Sequence, residues 1–144
     1  MHLISFILSF MLFTSVTWLT DFEQAKSQAK KNNELILLNF SGSDWCAPCI
    51  KMKQEIFDTQ KFQDFAASHL VLIRADFPRH KKNQPDPGQK ARNEKLADQF
   101  NPGGRFPLTL LIDANAKVID QWDGYTNMSV DTFINEILAK SHGR

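Results

Sequence analysis

The chain has 144 residues, 42% of them apolar and 23% charged, an ordinary globular composition with enough bulk for one domain. Seventeen basic and sixteen acidic side chains leave a net charge of +1, so no excess of one sign argues for nucleic acid or an acidic surface as partner. Only two cysteines are present, Cys46 and Cys49, and a loop that short adds little by restricting the unfolded chain, which excludes a disulfide scaffold.

Residues 3–13, LISFILSFMLF, form an apolar run shorter than the roughly 20 residues that span a bilayer. They fit the hydrophobic region of a secretory signal peptide, with Ser15-Val16-Thr17 as a small-x-small cleavage pattern. The expected organisation is a signal peptide over residues 1–17 and one domain over residues 18–144, exported to a periplasmic or extracellular compartment. The alternative is an uncleaved segment that anchors the domain, the only membrane contact expected.

Thr20-Asp21-Phe22-Glu23 is a capping-box pattern, and Phe22, Ala25 and Ala29 share a face of a helix over residues 21–31. Residues 34–40, ELILLNF, are an unbroken apolar run of strand length, as in a central strand buried on both faces. Ser41-Gly42-Ser43-Asp44 is a turn cluster, and Pro48 suits the first turn of a helix continuing through Ile50, Met52, Ile56 and Phe57. A helical piece over residues 60–68 carries Phe62, Phe65 and Ala66. A strand over residues 70–76 follows, then an exposed loop over residues 77–89 with three prolines and several charges.

Residues 89–100 read as a helix with Leu96, Ala97 and Phe100 inward, stopped by Asn101-Pro102-Gly103-Gly104. Residues 108–112 and 117–121 form a hairpin around the Asp113-Ala114-Asn115-Ala116 turn. Ser129 caps a last helix whose Val130, Phe133, Ile134, Ile137 and Leu138 make the strongest amphipathic pattern in the chain. The order α-β-α-β-α-β-β-α, with a small strand near Trp18, predicts an α/β three-layer sandwich around a central mixed sheet of four to five strands.

Cys-x-x-Cys at a helix start is a physical arrangement as well as a pattern. Residues i and i+3 of a helix lie about 5 Å apart at Cα, inside the disulfide range of about 4.4–6.8 Å. Cys46 at the N-terminus meets unsatisfied N–H groups and the macrodipole, which favour a thiolate, the attacking species. Cys49, a turn further in and less exposed, would resolve the mixed disulfide. The alternatives are half a zinc site and an inert pair. Zinc needs two more ligands, and His2, His69, His80 and His142 show no ligand spacing, so no metal is expected.

The stretch from Asn39 to Cys49, NFSGSDWCAPC, resembles the thioredoxin superfamily, and most closely its exported thioredoxin-like domains with Phe-Ser/Thr-Gly-Ser-Asp-Trp-Cys before the second cysteine. Gly104-Arg105-Phe106-Pro107 is similar to the family's segment leading into a cis-proline, and Asp123-Gly124-Tyr125 to its late Gly-Tyr. The resemblance implies a thioredoxin-like fold from about Trp18 onward and a cis bond before Pro107. It also implies a docking groove shaped by Phe106 and Pro107, with Trp45 as a partly exposed wall. Without it, Pro107 is a strand-start proline, Trp45 a core residue, and Asp44 a turn residue or helix-start acid.

Two departures stand out. Asn39 occupies the place nearest to the family's buried acid and cannot titrate, and Leu108 follows the proline where a small polar residue is common. The expected function is thiol–disulfide exchange with protein thiols or disulfides, by a monomer that needs no cofactor and is reset by a separate redox partner. Ala47-Pro48 between the cysteines resembles reducing family members more than strong oxidants, so the resemblance implies a reductase or isomerase. The second reading is a non-catalytic binding or assembly module using the basic loop Arg79-His80-Lys81-Lys82.

Overall fold

Strand β2 (Leu35–Ser41) is buried at every position, as its unbroken apolar run requires. The computed structural model, which describes residues 16–142, shows why. Strand β2 lies in the middle of a five-stranded mixed sheet with helices on both faces. It pairs in parallel with β3 (Leu70–Asp76) and antiparallel with β4 (Leu108–Ile112). The short edge strand β1 (Trp18–Leu19) runs parallel to β3, and β5 (Val118–Asp123) closes the other edge against β4, giving the order β1-β3-β2-β4-β5.

Alternation along β2 divides the core in two. Leu35 and Leu37 face Met52, Ile56 and Phe57, together with α3 (Gln60–His69) and α5 (Val130–Ser141). Ile36, Leu38 and Phe40 face α1 (Phe22–Asn32) and α4 (Pro87–Phe100). The three-layer α/β sandwich expected from the sequence is present. Residues 1–15 of the expected signal segment lie outside the described residues, and Val16 packs against the first core. Among the described residues no helix is long and apolar enough to cross a membrane.

Three boundaries differ from expectation, each for a local reason. The first helix is capped by Asp21 rather than Thr20, because the Asp21 carboxylate accepts the Gln24 N–H at 2.9 Å. Helix α4 starts two residues early, with Asp86 capping Gln89 N–H at 3.0 Å and Pro87 in the first turn. The helix after the cysteines changes character midway: α2 (Ala47–Met52) runs into a π-helical turn (Lys53–Phe57) that turns Ile56 and Phe57 into the core.

Phe133 on α5 joins the π-turn to the last strand, with ring centroids 6.1 Å from Phe57 and 4.8 Å from Trp122. Its ring is fully buried. Phe133→Ala is expected to lower unfolding stability by about 3–5 kcal/mol, read as a fall in urea midpoint with unchanged m-value.

Candidate active site

The last residue of β2 leads directly into the turn that carries the cysteines. Cys46 N–H donates to Gly42 C=O at 2.8 Å and Trp45 N–H to the same oxygen at 3.2 Å, folding residues 42–46 back on themselves. Cys46 is the N-cap of α2, and its Sγ accepts the Cys49 N–H at 3.3 Å. The two cysteines are joined as a disulfide with Cα atoms 5.2 Å apart, close to the helical i, i+3 spacing. The expected contrast in exposure is not found, since Cys46 retains 5% of its surface and Cys49 4%. A capping side chain lies over the first turn rather than pointing outward, so Cys46 is covered by the amides it caps. The two residues between the cysteines, Ala47 and Pro48, are exposed.

Each residue before Cys46 has a partner. An added Cβ at Gly42 would lie 2.3 Å from the Trp45 ring, so only glycine lets the indole lie flat on the turn. Ser43 donates from its N–H and its hydroxyl to the Asp76 carboxylate at 2.9 and 2.5 Å. Asp44 accepts from Arg79 N–H at 2.8 Å, His80 N–H at 3.0 Å and Asn83 Nδ2 at 2.9 Å. Partial desolvation pushes the Asp44 carboxyl up, but these hydrogen bonds and the nearby His80 outweigh it and hold the group at about 2. Asp44 is therefore neither a helix-start acid nor a free turn residue; it ties down the loop after β3.

Trp45 is half-buried. Its Nε1 donates to Phe77 C=O at 2.7 Å, its ring meets Phe106 edge-on at 5.4 Å, and the Arg79 guanidinium lies 3.9 Å over its face. Phe77 also meets Phe106, at 5.5 Å. The Phe106–Pro107 bond is cis, Pro107 is buried, and its C=O accepts from Gly124 N–H at 2.8 Å. Trp45 and Phe106 thus meet as one wall, and Pro107 follows Phe106 at the entry to β4. On the other flank, Ala47, Pro48, Lys51, Tyr125 and Asn127 line an open cleft of about 260 Å³. Desolvation, then the hydrogen bond and charge of Glu55, push the Tyr125 hydroxyl up to about 12, so it stays protonated and donates to Glu55 at 2.5 Å.

Beneath the site, on the face covered by α2, Asn39 is buried between its register neighbours Arg74 and Thr109. Asn39 Nδ2 donates to Thr109 Oγ1 at 3.1 Å, and Arg74 Nε donates to Asn39 Oδ1 at 3.3 Å. Thr109 Oγ1 in turn lies 3.8 Å from Met52 Sδ on α2. Burial pulls the Arg74 guanidinium down from its usual range while Asp76 and Asp58 oppose it, and the cation rests 4.0 Å over the Trp18 ring. Asn39, the position nearest to where the resemblance implies a buried acid, is an amide with both ends hydrogen-bonded, which can neither take nor give a proton.

Sequence reasoning did not find Phe77 and Arg79 as neighbours of Trp45, because the two segments lie more than thirty positions apart. The signal that could have found Arg79 is Asp44, an acid in the turn whose carboxylate takes the Arg79 N–H. Among the described residues no group of three or more His, Cys, Asp or Glu side chains is placed to hold a metal.

A mixed sheet of this order, with a Cys-x-x-Cys disulfide at a helix start and a cis-proline at the entry to an adjacent strand, defines a thioredoxin-like protein. The chain matches the thioredoxin-like domain family over residues 22–138 and belongs to it. It is 38% identical over 96 residues to the disulfide bond reductase DsbH of Chlamydia pneumoniae, covering 67% of this chain and 56% of that protein. It is 28% identical over 67 residues to the thioredoxin-related protein DsbJ of the same organism, covering 46% and 19% respectively. The chain therefore spans little more than half of one curated relative and a fifth of the other. Among solved structures, a DsbH oxidoreductase superposes with a TM-score of 0.80 at 30% identity, covering 91% of this chain and 88% of that one. A thioredoxin from Thermus thermophilus, 14% identical, shares the fold with a TM-score of 0.64, over 91% of this chain and 95% of its own.

Two outcomes test this geometry. Gly42→Ala is expected to push the Trp45 indole off the turn, costing about 1–3 kcal/mol and shifting tryptophan emission. The lowered Asp44 carboxyl makes the loop clamp complete above about pH 4, the unfolded value, and lost as pH falls through the folded value of about 2. Protection of the Arg79 and His80 amides, taken relative to their intrinsic exchange rates, should fall over that window, and Asp44→Asn should remove that fall.

Proposed function

We propose that this domain is a thiol–disulfide oxidoreductase that reduces protein disulfides through Cys46 and Cys49. The observation that carries the reading is the Cys46–Cys49 disulfide at the start of α2, with the Cys49 N–H directed at Cys46 Sγ. A group donated to by a helix-start amide is stabilised as an anion, so the same contact favours the Cys46 thiolate once the bond is opened. The name of the curated relative, a disulfide bond reductase, supports the direction.

In the reduced domain the Cys46 thiolate attacks one sulfur of a substrate disulfide. A mixed disulfide forms, and the other substrate sulfur leaves as a thiolate that takes a proton from solvent. Cys49, deprotonated, then attacks Cys46 Sγ and expels the second substrate sulfur, so two electrons pass to the substrate and the intramolecular disulfide returns. With Asn39 in place of an acid, the proton of Cys49 passes to water or to the departing thiolate. A separate dithiol protein resets the pair.

The substrate chain lies against Trp45, Phe106 and Pro107 and pairs its backbone beside the cis-proline. The apolar run at residues 3–13 supports an exported setting, with the domain working in a periplasmic or extracellular space.

An insulin-type reduction assay with dithiothreitol as donor tests the reading. Cys46→Ser is expected to remove the catalysed rate entirely, and reduced Cys49→Ser, mixed with insulin after the dithiothreitol has been removed, to accumulate a mixed disulfide visible by mass. Full activity in Cys46→Ser would remove Cys46 from the chemistry, and a rate in the unmodified chain no faster than dithiothreitol alone would exclude the enzymatic account and favour the binding module.

A further inference from the structure

The loop between β3 and α4 is held to the redox turn by contacts that the chemistry above does not use. Ser43 holds Asp76 at the loop's root, Trp45 Nε1 holds Phe77 C=O, and Asp44 holds the N–H groups of Arg79 and His80 and the amide of Asn83. Three successive residues of the motif thus fasten one loop beside Cys46. Its tip, a 3₁₀ turn (Lys81–Asn83), rests on Asp44 two positions from that cysteine. The tip carries Arg79, His80, Lys81 and Lys82, all exposed.

Three of those four side chains are permanent cations, and none has an ion-pair partner among the described residues. The nearby carboxylates are turned inward: Asp76 to Ser43, and Asp44 to the loop's own amides. Arg79 is fixed on the Trp45 face, which places its charge on the wall of the site. A solvated surface loop does not need this fastening. The chain as a whole is nearly neutral, so the local excess of positive charge is a property of this lip and not of the composition.

We propose that residues 79–82 form a substrate lip that selects polypeptide disulfides flanked by acidic side chains, an inference that rests on the oxidoreductase reading. A polypeptide is the occupant because the lip is fastened to Asp44 and Trp45, the two residues before Cys46, where the bound molecule must also present a sulfur. A lipid surface or a nucleic acid offers the negative charge without the disulfide. Arg79 pairs with an acid next to the substrate cysteine, and Lys81 and Lys82 with acids further along the chain.

The test uses the intact chain and two synthetic peptides, each closed by one disulfide and identical except for four Glu or four Gln beside the cysteines. The oxidised chain cannot exchange with an oxidised peptide, so a tryptophan-fluorescence titration reads binding alone. The Glu peptide is expected to bind roughly tenfold more tightly at low salt, with the advantage fading toward 1 M salt. Arg79→Gln and Lys81→Gln/Lys82→Gln should each narrow it, and Lys81→Glu/Lys82→Glu should reverse it.

Equal affinity for the two peptides, or a preference untouched by those variants, overturns the proposal. So does binding to phosphatidylglycerol vesicles that needs Lys81 and Lys82 and is not displaced by the Glu peptide, which would assign the lip to a membrane. Reduction rates of the same peptides separate the two levels. A chain that prefers the Glu peptide but reduces neither keeps the lip and loses the oxidoreductase reading. One that reduces both with equal binding keeps the reading and loses the lip.

Discussion

The contact between Cys49 N–H and Cys46 Sγ requires one residue to end a turn and begin a helix at once. That is possible because the turn hangs from the end of β2, the strand held on both sides by β3 and β4. A central strand with seven buried residues cannot shift along its neighbours without moving every apolar side chain to the wrong face. The position of Gly42 is therefore set by the whole sheet, and the sulfur four residues later inherits that precision. Where α2 gives way to the π-helical turn, Met52, Ile56 and Phe57 fasten the other end of the helix into the core.

Trp45 shows how one side chain joins the chemistry to its surroundings. Its ring lies on a glycine, meets Phe106 at the cis-proline, carries the Arg79 cation and donates to Phe77. Edge-on aromatic pairs contribute about 0.5–1.5 kcal/mol each and an exposed cation–π contact about 0.5–1. Wall, loop and cis-proline are thereby one packed unit, although three separate stretches of chain supply them. A substrate would meet a preformed surface rather than one assembled on binding.

The floor of the site is chemically quieter. Asn39 and Thr109 are buried and hydrogen-bonded to each other, Arg74 Nε donates to Asn39 Oδ1, and the charge present is a guanidinium that stays protonated near neutrality. A buried acid would add a titration beneath the cysteines; these side chains do not.

Much of this was legible in the sequence, because the signals are local. The unbroken run of residues 34–40 marks a strand buried on both faces, the 3.6-residue pattern after Ser129 marks α5, and two cysteines three apart at a helix start mark a pair within disulfide reach. The family resemblance pointed to the cis bond before Pro107. Three things were left to the tertiary structure. The cap moved from Thr20 to Asp21 because competing oxygens one residue apart are separated only by the geometry of chain entry. Cys46 proved as covered as Cys49, since burial is a sum over neighbours that spacing does not contain. Asp44, read locally as a turn acid, became the anchor of residues 79–83, because a hydrogen bond across thirty-five positions exists only after β2 and β3 have been laid side by side.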